Sequence, residues 1–167
     1  MLRLLGGLCV LVFASYGGFY MSGRLKTRRD FLRYMSESLT YIASEIEFGH
    51  YELKDIFMRI DNSSAVYDFF KKCAERLHKS GIRRAWEQSI TECRETIPLK
   101  NEDIDVLLQL GAQIGMSDIA GQKTAISRAV THLDIFAGSA DEEYRRLGKT
   151  YRSCGVLLGV FFLIMVI

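Results

Sequence analysis

The side chains in this chain that could do chemistry are few and scattered. His50, His78 and His132 lie far apart, on different expected helices. A shared metal site would need them converging at ligand spacing. Glu45 and Glu47 are two residues apart, so they do not share a helix face and make poor acid–base partners. Ser36-Glu37-Ser38 has no base nearby to activate a hydroxyl. There is no G-x-x-x-x-G-K-S/T loop and no G-x-G-x-x-G turn to cradle phosphates. Four cysteines, Cys9, Cys73, Cys93 and Cys154, contain no C-x-x-C. Cys73 and Cys93 fall on apolar helix stripes and read as small core residues. The residues predict no catalytic site, no metal and no cofactor.

Helices must position whatever function remains. The chain has 167 residues, one proline (Pro98) and an apolar period of 3.6 almost throughout. Phe31, Met35, Leu39, Ile42 and Ile46 make one helix face, with Gly49 as its C-cap. Leu53, Ile56, Phe57 and Ile60 make a short second helix. A third, capped by Ser63 or Ser64, carries Val66, Phe69, Phe70, Cys73 and Leu77 and stops at Gly81. The fourth carries Ile82, Ala85, Trp86, Ile90, Cys93 and Ile97 and ends before Pro98. Asn101 caps a fifth with Ile104, Leu107, Leu108, Gly111 and Ile114. The last helix runs from Asp118 to the final residue as one rod, or two nearly collinear ones. Trp86, Leu107 and Leu133 are expected in the core.

Two apolar segments, Leu4 to Met21 and Ser153 to Ile167, sit at the ends. Arg24, Lys26, Arg28 and Arg29 follow the first; Arg145, Arg146, Lys149 and Arg152 precede the second. Basic residues beside a span stay on the cytoplasmic side. The expectation is therefore a two-pass membrane protein: a transmembrane helix at 1–23, a cytoplasmic helical domain at 24–150 and a second transmembrane helix at 151–167. The second segment falls short of the hydrocarbon thickness by roughly 7 Å. Val12-Phe13-Ala14 also resembles a signal-peptide cleavage site, but the basic cluster behind it opposes export. Ala14-x-x-x-Gly18 and Gly155-x-x-x-Gly159 would let the two membrane helices pack closely.

The overall charge of +2 conceals an asymmetry. Arg3, residues 24–33 and residues 145–152 together carry +9, which leaves residues 34–144 at −7. The basic base suits anionic lipid headgroups, and the acidic body argues against nucleic-acid binding. Glu45, Glu47, Glu52 and Asp55 cluster around the first inter-helix turn and are the candidate docking residues for a basic partner. Gly115, Ser117, Asp118 and Gln122 read as a structural turn: Gly115 a C-cap, Ser117 an N-cap, Asp118 favourable at the helix dipole.

Taken in order, Glu45-Ile46 with Gly49 and Leu53, Trp86, Asp103, Leu107, Leu110-Gly111, Gly115, Asp118, Gln122, Leu133 and Gly155-x-x-x-Gly159 resemble the stage III sporulation protein AB family of endospore-forming bacteria. The resemblance covers essentially the whole chain. It departs at Tyr51-Glu52, where members often have proline before the residue matching Leu53. The resemblance implies a component of the channel between mother cell and forespore, sited in the mother-cell membrane around the forespore. It implies a fold similar to the helical platform domain of type II secretion machines, and a cytoplasmic ATPase, the sporulation AA protein, as partner beside other membrane components of the channel. The resulting expectation is an all-α, compact six-helix cytoplasmic bundle between two transmembrane helices, acting as a non-enzymatic scaffold. A homo-oligomer is compatible with it. The alternative is a membrane-anchored regulatory adaptor signalling through the long C-terminal helix.

Overall fold

The computed structural model describes residues 2–49, 51–115 and 118–166. Among them there is no strand, as the unbroken 3.6 period requires. Five helices follow in order: α1 (Leu2–Phe48), α2 (Leu53–Met58), α3 (Tyr67–Thr96), α4 (Asn101–Gln113) and α5 (Ile119–Val166). They form two compact units. One comprises Asp30–Gly138; the other pairs Met1–Arg29 with Ser139–Ile167. α1 and α5 each contribute to both.

In the Asp30–Gly138 unit, the apolar stripe of α1 is the floor of the core. Phe31, Leu32, Met35, Leu39 and Ile42 are buried, and Gly49 (φ 63°) ends the helix with its N–H on the Glu45 carbonyl. α2 turns Ile56 and Phe57 inward. α3 is two helices in space. Lys72 and Glu92 would lie about 30 Å apart along a straight helix, yet their Nζ and Oε2 atoms are 3.0 Å apart. The chain doubles back at Gly81 (φ 73°, ψ 165°), a conformation that side chains with a Cβ rarely adopt. Arg76 also reaches across to Glu92 at 2.5 Å. The Lys72 hydrogen bond holds the Glu92 carboxyl below the usual carboxylate range.

This fold-back brings Phe69, Phe70 and Trp86 together with Phe57, with ring centroids 4.8–6.1 Å apart from Trp86. The indole N–H donates to the Leu107 carbonyl on α4 at 2.8 Å. That spares a buried donor and gives up one α-helical acceptor's exclusivity. Gly111, one turn along α4, makes the seat: a Cβ there would run into the indole, with Cγ only 2.8 Å away. Trp86, Leu107 and Leu133 are all fully buried, as the periodicity predicts.

Two expected caps are placed differently. Ser63 donates its N–H and hydroxyl to Asp61, and Val66 takes the N-cap position of α3 without a side-chain cap. The short Asp61 side chain captures the serine locally before it can serve the helix. Asn101 is already helical; Lys100 is the N-cap, and its N–H is held by Asp103 Oδ2 at 2.8 Å.

In the other unit, the two helix segments run antiparallel and nearly touch. A Cβ on Gly155 would lie 2.7 Å from the Ala14 carbonyl oxygen and 3.1 Å from Gly18 Cα; one on Gly159 would lie 2.9 Å from Leu11 Cα. Gly18 meets the Tyr151 carbonyl and Gly155 in the same way. Arg28–Glu143 and Arg29–Asp141 ion pairs, each at 3.5 Å, link the segments near Arg29, and Arg29 also lies over the Tyr144 ring.

This arrangement corrects the expected flanking transmembrane helices and, with them, the two-pass membrane localisation. Among the described residues, no helix is long and apolar enough to cross a membrane. Gly6, Gly7, Ser15, Tyr16, Gly17, Gly18 and Tyr20 dilute the first apolar run. The second is about 22 Å long at 1.5 Å per residue, against about 30 Å of hydrocarbon. Two apolar runs with basic flanks carry the expectation; the basic flanks add nothing to apolar length.

Gly111→Val should cost about 1–3 kcal/mol by overpacking and shift the emission of Trp86 to the red, measured by urea unfolding of the full chain. Gly138→Ala, in helix with open space around its Cβ position, should instead stabilise by about 0.5–1 kcal/mol. Equal effects would show that the indole seat is misplaced.

Candidate functional site

Among the described residues, the groups that could do chemistry stay apart. Among the described residues, no three His, Cys, Asp or Glu side chains are placed to hold a metal ion. His78 Nε2 lies 3.2 Å from Lys54 Nζ, His132 is on α5, and His50 lies outside the described residues. Cys73 is fully buried between the two arms of α3, and burial pushes its thiol up to about 12. Cys93, partly buried, is pushed up to about 11 for the same reason. Both thiols therefore stay protonated and poorly nucleophilic near neutral pH.

What the fold does build is an exposed acidic corner where α1 turns into α2. α2 is short because its job is to bury Ile56 and Phe57; its opposite side then carries Asp55 and Met58 outward. Glu52 occupies the N-cap position, but only its backbone carbonyl is used, accepting from Asp55 and Ile56 at 2.9 and 3.1 Å. Its carboxylate makes no capping bond. The four candidate acids thus differ in standing. Glu47 Oε1 holds Lys123 Nζ at 2.7 Å, tying the start of α5 to the end of α1. Glu45 is half-buried and contributes to holding Arg59 charged, although the hydrogen bond from Arg59 to Tyr51 is the larger cause. Glu52 and Asp55 are exposed and form no ion pair among the described residues.

Sequence reasoning on charge missed the apolar part of this corner. Phe48 is 68 % exposed, and Tyr51 and Met58 are nearly half exposed. Arg59 stacks on the Tyr51 ring, its guanidinium carbon 3.7 Å from the centroid. The signal was available: Phe48 and Tyr51 flank Gly49, past the last buried position of the α1 stripe, where no helix face remains to bury them.

The second candidate turn is structural in its geometry. Gly115 has φ 78°, and a Cβ there would sit 2.9 Å from Ile82 Cγ2. Asp118 caps α5: its Oδ1 accepts from Gly121 N–H at 3.0 Å and its carbonyl from Gln122 N–H at 2.9 Å. Ser117 lies outside the described residues. Ala14, Gly18, Gly155 and Gly159 meet in the α1–α5 pair described above.

The comparisons with known proteins agree with one another. A family model described as stage III sporulation protein AB matches residues 3–167. Stage III sporulation protein AB of Bacillus subtilis (strain 168) is 29% identical over 169 residues, covering 99% of each chain. A solved structure of a stage III sporulation protein AB superposes with a TM-score of 0.64 at 27% identity, covering 71% of this chain and 96% of that one.

The buried Cys73 thiol predicts an alkaline sensitivity. Its folded-state value is raised from 9.0 to about 12, so its contribution is complete below the unfolded value and is lost as pH rises between the two. The urea midpoint of the full chain should fall more between about pH 8 and about pH 10 than that of Cys73→Ala, which cannot ionise. Equal slopes would show that the thiol is not buried.

Proposed function

The chain belongs to the stage III sporulation protein AB family, and from that premise we propose that it is a non-enzymatic scaffold of the sporulation channel that docks a cytoplasmic ATPase through the α1–α2 corner. The family ties the chain to sporulation. The docking role rests on one observation: Glu52 and Asp55 stand exposed and unpaired beside the exposed apolar side chains of Phe48, Tyr51 and Met58. An acidic rim speeds encounter with a basic partner, and apolar groups next to it supply the area that holds the complex. In this reading the partner is the sporulation AA ATPase, as for a platform that couples a motor to its machine, and its docking surface is basic with apolar pockets. Other channel components have a separate surface in the α1–α5 pair, where Phe13, Leu157 and Phe161 are exposed.

Glu52→Lys with Asp55→Lys should abolish co-purification with the ATPase at low salt while leaving the melting temperature within about 2–4 °C of the parent, as exposed substitutions do. Glu47→Lys should weaken association less specifically, because it also breaks the Lys123 pair. Unchanged association of the double variant across salt concentrations would remove the corner from the docking surface.

A further inference from the structure

Across the Asp30–Gly138 unit, α4 and α5 are separated by a cleft of about 120 Å³. Buried Leu110, Ala125 and Ala129 lie along it, and its polar lining comes from Gln109 and Gln113 on α4 and Arg128 and His132 on α5. Each polar pair is spaced by four residues, so each stands on one face of its helix, and the two faces line the same cleft. Small Ala125 and Ala129 leave the gap open; larger residues there would fill it. Arg128 makes no ion pair or side-chain hydrogen bond among the described residues. The 34–144 stretch carries −7 overall, and Arg128 is one of its exposed cations with no acid partner among the described residues. His132 packs beside Phe136, ring centroids 6.3 Å apart.

We propose that this cleft is a receptor for a single carboxylate side chain presented by a partner polypeptide. Arginine offers a planar fork that matches a carboxylate in two parallel hydrogen bonds. The glutamine amides donate N–H groups without adding charge, and the His132 imidazole can donate one more. The apolar floor takes the methylene stem of a glutamate. The charge count selects the ligand: one permanent cation balances one carboxylate, whereas a phosphate group carries close to two charges near neutral pH and needs a second cation. Repulsion from the acidic body is screened beyond about 8 Å at physiological ionic strength, so recognition depends on the local donors. This surface is distinct from the α1–α2 corner, and the partner chemistry is opposite: acidic here, basic there.

The test uses the isotope-labelled full chain and side-chain amide resonances of Gln109 and Gln113. Three probes are titrated: a short capped Glu-Ala peptide, its Gln-Ala counterpart and inorganic phosphate. The Glu-Ala peptide should shift both amides and the His132 ring. The Gln-Ala peptide should bind at least about tenfold more weakly, as loss of a charge-assisted bidentate contact requires, and phosphate should be weaker than the Glu-Ala peptide. Arg128→Gln should lower the Glu-Ala affinity about tenfold with unchanged melting. Absence of shifts with the Glu-Ala peptide, equal binding of the Gln-Ala peptide, phosphate binding as tightly, or undiminished affinity in Arg128→Gln would each overturn the proposal.

Discussion

An indole ring seated where a Cβ would otherwise stand is the constraint on which the Asp30–Gly138 unit depends. Trp86 can donate to the Leu107 carbonyl only because Gly111 leaves its side open. That seat positions the second arm of α3 against α4. The first arm follows, since Phe69 and Phe70 pack on the same ring. Phe57 joins them, which holds α2 in place and so decides which of its residues face solvent. The exposure of Glu52 and Asp55 thus follows from the packing of Phe57 in the aromatic cluster. Filling the seat would cost stability first and the acidic corner second.

The same device, an absent Cβ, organises the α1–α5 pair, where Gly18, Gly155 and Gly159 let backbones approach within van der Waals distance. Close approach of this kind is common to membrane and water-exposed helix pairs. Small-residue spacing therefore fits either setting. Apolar length is the property that decides crossing, and glycine and tyrosine dilute it here.

Much of the helical body was legible because buried stripes repeat with the helix period, and because glycines at 49, 81 and 115 stop or turn the chain with positive φ. Caps were less legible. Ser63 is bound by Asp61, and Asp118 caps α5 with its own side chain, choices made by hydrogen-bond competition within a few residues. The candidate corner was half legible. Its acids are plain in the sequence, but that Glu47 is held by Lys123, more than seventy positions away in the chain, follows only from the packing of α5 on α1. The cleft between α4 and α5 is not legible in the sequence, since nothing local to Gln109 or Arg128 says that their faces meet.

We propose that a cytoplasmic ATPase docks at the α1–α2 corner. Hydrogen-exchange mass spectrometry of the full chain, with and without the sporulation AA ATPase, tests it most directly. The account predicts added protection confined to residues 45–58, where Glu52, Asp55 and their apolar neighbours stand. Protection confined to another part of the chain, or none at all on a complex shown to form, would contradict it.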